Sequence, residues 1–180
     1  EIGLLVNNAG YAMAGDYHLL DSDRQVNMTV LNCVVPVLLT NHYLPRMIER
    51  KRGGMIFLAS TASYQPTASM GTYGATKAFN LMLGESLWKE CQPHGIDSLA
   101  VSPGFTRTEF NDVAQITNTG SFRVATADSV VAASLRKLGH GPSFVHGWLN
   151  KFLTFTVRIS PRRAVIAITH AMLKGRSENR

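Results

Sequence analysis

Gly3-Leu4-Leu5-Val6-Asn7-Asn8-Ala9-Gly10 is a short apolar run that empties directly into amide-bearing and small residues. An apolar run without alternation reads as a strand buried on both faces, the kind found in parallel sheets. Small residues at a strand's carboxyl end let a ligand approach the backbone, and open α/β sheets bind ligands at that end. The pattern returns twice. Met55-Ile56-Phe57-Leu58-Ala59 runs into Ser60, and Ser98-Leu99-Ala100-Val101 is stopped by Pro103-Gly104. Helical spacing fills the intervals. Residues 19–43 start at Asp21-Ser22-Asp23, with Pro36 expected to break the helix or to mark one beginning just before it. Residues 49–54 read as a turn, 60–71 as a polar loop, and 72–91 as a long helix ended by Pro93-His94-Gly95. Further on, residues 127–138 form a helix stopped at Gly139, and Phe144-Val145 a short strand. Two helices close the chain, the second opened by Ser160-Pro161, serine as cap and proline in the first turn. Strands alternating with helices predict an α/β fold whose parallel sheet is covered on both sides.

The chain has 180 residues, 45% of them hydrophobic and 17% charged, enough for one domain with a sizeable core. Glu1 stands almost at the start of a buried strand, so sequence upstream is expected to be missing. Cys33 and Cys91 read as free buried thiols, and nothing demands an oxidising compartment. A cytoplasmic protein is expected, with peripheral membrane contact as a further possibility. No apolar run reaches the roughly 18 residues of a spanning helix, and the six histidines lack zinc-like spacing, so no metal is assigned. The net charge of +6 is lopsided: from Ser121 onward ten Lys/Arg face only Asp128 and Glu178. Such a tail either is a solvated helix face or meets an anionic partner. Its aromatics are not interleaved with the cations, which argues against a base-stacking nucleic-acid platform.

Four signals carry chemistry. Asn7, Asn8, Ala9 and Gly10 follow the first strand, and Ser60 ends the second. In Tyr73-Gly74-Ala75-Thr76-Lys77 the four-residue spacing puts a phenol and an ammonium on one helix face. A free phenol has a pKa of about 10, and a close cation is expected to lower it; reaching about 7–8 asks for roughly 3–4 kcal/mol. Pro103-Gly104-Phe105-Thr106-Arg107-Thr108 ends the third strand with hydroxyls able to hold a polar group. Each signal alone has an ordinary reading as a turn, a cap or a solvated pair.

Together, in this order, they resemble the short-chain dehydrogenase/reductase family, over about residues 3–108, most closely its compact NAD(P)-dependent members. The resemblance implies a Rossmann-like, doubly wound sheet and hydride exchange between a carbonyl and a secondary alcohol. By residue, it implies that Tyr73 is the general acid/base and that Ser60 hydrogen-bonds the substrate oxygen. Lys77 would lower the phenol's pKa and hold the nicotinamide ribose, and Asn32, selected over Asn27 by family spacing, would hold a relay water. Asn8, Ala9, Gly10, Tyr73, Lys77, Pro103, Gly104, Thr106 and Thr108 would contact the cofactor, NADP slightly ahead of NAD. The family's Thr-Gly-x-x-x-Gly-x-Gly motif, which cradles a pyrophosphate at a helix N-terminus, does not occur in the 180 residues. The expected domain is therefore a partial one over 1–180, about 60–80 residues short at its start, with weak or absent dinucleotide binding and an unprotected first strand.

Residues 110–122 read as part of a mobile substrate lid, and 121–180 as lid and C-terminal helices. Trp148, Leu149, Phe152, Leu153, Phe155 and Val157 form a helical apolar stripe, read either as packing or subunit contact, or as an interfacial helix that admits an apolar substrate. The expected partners are a small carbonyl or alcohol, apolar or lipid-like, and further copies of the full-length protein, with weak membrane-surface contact through the basic helices. Competing readings are an epimerase or dehydratase of the family's extended branch, and a catalytically silent binding protein on the same fold.

Overall fold

Four parallel strands are laid side by side in the computed structural model, which describes residues 1–108, 110 and 124–174. β1 (Leu4–Asn7), β2 (Gly53–Leu58), β3 (Ile96–Ser102) and, after two short strands described below, β6 (Ser143–Val145) are adjacent in that order. Leu5 lies beside Met55, Phe57 beside Ala100 and Ser102 beside Val145. Because all four run the same way, Asn7, Leu58, Ser102 and Val145 end on one rim.

The helices are α1 (Ser22–Thr29), α2 (Val35–Glu49), α3 (Gly71–Cys91), α4 (Ala127–Lys137), α5 (Trp148–Ile159) and α6 (Arg162–Lys174). Alternation along β2 feeds two cores. Met55 and Phe57 join Leu5 and Ile96 against Met47 of α2 and Cys91 of α3. Ile56 turns to the other face, with Leu99, Val101 and Val130 of α4. Helices therefore cover both faces, the doubly wound arrangement, and burying each large apolar side chain is worth about 1.5–3 kcal/mol.

The structure sharpens the sequence reading at three places. The turn expected over 49–54 closes early, and β2 already begins at Gly53. A Cβ on Gly53 would lie 2.7 Å from Met47, so glycine here serves the close approach of α2 to the sheet. At Pro36 the second of the two readings holds, because α2 begins at Val35, just before it. α1, capped by Asp21 through Arg24 N at 2.7 Å, passes into a π-helical turn, Val30–Val34, and α2 carries Pro36 in its first turn. Proline has no N–H to return to the carbonyl of Asn32, a turn earlier; that carbonyl instead accepts from Asn80 Nδ2 at 2.8 Å. Third, β4 (Thr106–Arg107) and β5 (Ala125–Thr126) form a small parallel pair, too short for any periodicity to announce.

Both cysteines are free, Cys91 buried and Cys33 half-buried. Among the described residues no helix is long and apolar enough to cross a membrane. Of the lid expected over 110–122 only Phe110 is described; residues 111–122 lie outside the described residues.

Candidate active site

The rim collects side chains from three crossover units. Ser60 follows β2 and caps the 3-10 turn Thr61–Tyr64: its Oγ accepts from Ala62 N at 3.1 Å, and its own N–H donates to Ser63 Oγ at 3.1 Å. This reciprocal cap uses the serine oxygen as acceptor and leaves its proton free to donate. Thr61 N donates to Pro103 O at 3.0 Å, tying the turn to the end of β3.

Tyr73 stands in the first turn of α3 and is only 7% exposed. It packs with Ala12, Met28 and Met70, and its ring leans on Phe110 at 5.7 Å between centroids. Burial pushes the phenol up from its ordinary 10 to about 12, and a side-chain hydrogen bond with Ser60 pulls the other way. The expected lowering by Lys77 is thus reversed: removing the phenolate from water costs more than the neighbourhood returns.

Lys77, one turn along, is 6% exposed. Its Nζ lies 5.9 Å from the centre of the Tyr73 ring and donates to Leu58 O, the last carbonyl of β2, at 2.8 Å. Burial brings the ammonium down from 10.5 to about 8, with Cys33 acting in the other direction.

Asn32, on the π-helical turn, is fully buried, whereas Asn27 is exposed. Its Nδ2 donates to Tyr11 O at 3.1 Å and Thr76 Oγ1 at 3.0 Å, and its Oδ1 accepts from Tyr11 N at 3.2 Å. The carboxamide thus spends both protons bracing the loop after β1 against α3, and Oδ1 retains one lone pair. A Cβ on Gly10 would lie 2.7 Å from Asn32 Oδ1 and 3.7 Å from Lys77 Nζ, so only glycine allows the loop to lie against both. Asn8 and Ala9 are exposed beside it.

At the end of β3, Gly104 is covered by Asn150 of α5, whose Nδ2 would lie 2.5 Å from a Cβ there. Thr106 Oγ1 donates to Gly104 O at 3.1 Å, and Thr108 Oγ1 accepts from Phe110 N at 3.3 Å. Pro103 and Gly104 therefore join the rim directly, while Thr108 touches it through the Phe110 ring.

Two residues of this rim, Thr76 and Asn80, were not singled out from the sequence. Thr76 links Asn32 to the helix by donating to Tyr73 O at 2.8 Å. Asn80 holds the carbonyl that Pro36 frees. Asn7, inside the first motif, is buried with both polar side-chain atoms unbonded. A cavity of about 330 Å³ lined by Glu1, Ile2, Tyr43, Arg46 and Arg50 lies at the opposite end of β1, away from these groups. Among the described residues no three His, Cys, Asp or Glu side chains cluster as metal ligands would.

A family model described as short chain dehydrogenase matches residues 1–118. The chain belongs to the short chain dehydrogenase family. Among its relatives, the uncharacterized oxidoreductase YvaG of Bacillus subtilis is 36% identical over 109 residues, 61% of this chain and 41% of that protein. A very-long-chain 3-oxoacyl-CoA reductase of Phaeosphaeria nodorum is 26% identical over 167 residues, 86% of this chain and 48% of that protein. The chain thus spans somewhat under half the length of these curated relatives. A solved short-chain dehydrogenase from Sphingobium yanoikuyae, in complex with NADPH, superimposes with a TM-score of 0.74 at 31% identity, covering 88% of this chain and 63% of that one.

The rim of this short chain dehydrogenase has polar capacity for a ligand rich in hydroxyl and amide groups. Lys77 spends one of three ammonium protons on Leu58, and the Asn7 carboxamide spends none. A nicotinamide dinucleotide, with its ribose hydroxyls and carboxamide, matches that donor set.

Proposed function

We propose that the protein is an NAD(P)-dependent oxidoreductase interconverting a carbonyl and a secondary alcohol, with Tyr73 as general acid/base. The observation that carries this reading is the convergence of a buried phenol, a serine hydroxyl bonded to it and a buried ammonium at one strand rim. The nicotinamide cofactor, when bound, supplies or accepts the hydride. NADP is favoured by the NADPH complex of the Sphingobium relative. Lys77, Asn7 and the Asn8-Ala9-Gly10 and Pro103-Gly104 backbones would hold it, with Thr106 and Thr108 beyond.

In the reductive direction the substrate oxygen takes the Ser60 hydrogen bond that Tyr73 otherwise holds. Tyr73 then gives its phenolic proton to that oxygen. A phenol near 12 stays protonated through the physiological range, so it is charged with the proton that carbonyl reduction needs. Lys77, near 8, is the stronger acid and restores that proton downhill. Asn32 fixes the loop and helix that hold both groups, with one Oδ1 lone pair left for a relay water.

The kinship to a very-long-chain 3-oxoacyl-CoA reductase supports an apolar or lipid-like carbonyl; the 350 Å³ cleft beside the Ser60 turn, lined by Tyr64, Pro66, Val157 and Val165 together with Arg158, Ser160 and Arg162, is of mixed polarity. In this reading residues 121–180 form the substrate-side part of the domain. Exposed Val26, Val30, Val34 and Leu38 recur every four residues beside exposed Phe79 and Met82 of α3, which supports self-association. The test is NAD(P)H consumption by the whole protein that carries this chain, against a panel of aliphatic and bulky ketones. Ketone-dependent oxidation that disappears in Tyr73→Phe is expected; a Tyr73→Phe variant as active as the parent overturns the assignment.

A further inference from the structure

α5 is amphipathic the wrong way round for a helix packed on its own core. Its inward side is polar: Thr154 is 6% exposed and donates to Asn150 O at 3.0 Å, and Asn150 donates to His146 O at 2.8 Å while covering Gly104. Its outward side carries Trp148, Phe152, Phe155 and Ile159, which are 73%, 59%, 60% and 72% exposed. At 3.6 residues per turn these four fall on one stripe. Lys151 and Arg158, both exposed, run along one edge of it, Arg158 with its guanidinium 5.9 Å from the centre of the Tyr64 ring. α6 adds exposed Ile166, Ile168 and Met172 and exposed Arg162 and Arg163, but Ile166 and Ile168 stand on opposite sides of the helix, so the single stripe belongs to α5. Of the stripe read from the sequence, Trp148, Phe152, Leu153 and Phe155 are exposed, whereas Leu149 and Val157 are partly buried, so its aromatics are not core packing among the described residues.

We propose that this face docks on an anionic lipid surface, with α5 lying in the plane of the membrane. Charge complementarity selects that occupant. Residues 148–174 contain five Lys/Arg and no Asp or Glu, and such a basic edge adds attraction to acidic headgroups next to the apolar insertion. A second copy of the chain pairing through the same face would set these cations against themselves. At 12 residues, α5 is about 18 Å long, too short to cross and suited to lie flat. Trp148 at the start of the stripe has the amphipathic ring that favours headgroup depth. Since Asn150 on the inner side touches Gly104, docking would bring the strand rim close to the lipid. The docking stands apart from the catalytic reading, which a water-soluble ketone assayed without vesicles tests separately.

The chain is mixed with phosphatidylcholine vesicles, with or without a phosphatidylserine fraction of about one third, and floated on a density gradient. Flotation with the serine lipid at low salt is expected, falling several-fold on neutral vesicles or in high salt, with a blue shift of Trp148 emission in a Trp88→Phe background. Phe152→Ser with Phe155→Ser, and separately Lys151→Glu with Arg158→Glu, should each lose most of the flotation while retaining the parent's circular dichroism. No flotation on the anionic vesicles overturns the proposal. So does flotation unchanged in the Phe variants, or flotation without the emission shift, which marks charge attraction alone. A concentration-dependent dimer abolished by the same Phe substitutions, with no flotation, reassigns the face to a second copy. Should a variant misfold, the lipid and salt dependence of the parent still decides.

Discussion

Lys77 and Tyr73 are taken out of water together, and their shifts act on stability in opposite ranges. The ammonium titrates near 8 in the fold and near 10.5 when unfolded. Below about 8 both states hold the proton and the burial cost is felt in full. Between 8 and 10.5 the unfolded chain binds more protons, so stability rises with pH. The phenol, raised to about 12, contributes stability that is complete below 10 and lost between 10 and 12. Lys77 by itself should therefore raise stability by about 1–2 kcal/mol from pH 7.5 to 9.5, opposed near pH 9 and above by the Cys33 and Cys91 thiols, which burial pushes up; the difference between the parent and a Lys77 variant, read by urea denaturation at stepped pH, isolates the rise. Lys77→Met should flatten the rising limb; a slope that survives it would place the titrating group elsewhere. In catalysis, Tyr73→Phe should lower kcat by about 10²–10⁴-fold in stopped-flow or steady-state assays of the whole protein.

The elements owe their positions to a few exchanges of donors and volumes. The α1–α2 arm bends through its π-helical turn where Pro36 withholds an N–H, and Asn80 of α3 supplies the replacement. Asn80→Ala leaves the Asn32 carbonyl buried and unpaired, at an expected cost of about 1–3 kcal/mol, and should also loosen the loop at Gly10, measurable as faster amide exchange at Tyr11. Phe57, wholly buried between β1, α2 and α3, belongs to the sheet's principal core. Phe57→Ala should cost about 3–5 kcal/mol in chemical denaturation, a larger loss than any substitution on the outward stripe of α5.

At the scale of the whole molecule, β1 has β2 as its only strand neighbour among the described residues, and Val6 on it is half-exposed. An unpaired strand edge of this kind invites pairing with other chains, so the 180-residue chain should show concentration-dependent association in light scattering, reduced by Val6→Lys. Isothermal titration of the same chain with NADPH should show at best weak binding, because the glycine-rich motif is not among its residues. Micromolar affinity would mean that the rim groups alone suffice.

Apolar runs ending in small residues determined the parallel α/β sheet, since an apolar run bounded by Asn-Ala-Gly or Pro-Gly has few other ways to satisfy its backbone. The spacing of Tyr73 and Lys77 likewise determined that they share a face, because helix periodicity is local. What the tertiary structure decided depends on groups far apart in the chain. The direction of the Tyr73 shift follows from burial by Met28, Met70 and Phe110. The role of Asn80 follows from a carbonyl 48 residues away. Whether the aromatics of α5 face inward or outward was open in the sequence, because periodicity groups side chains on a face without saying which face meets the core. Asn150 and Thr154 settled it by finding their hydrogen bonds on the inside.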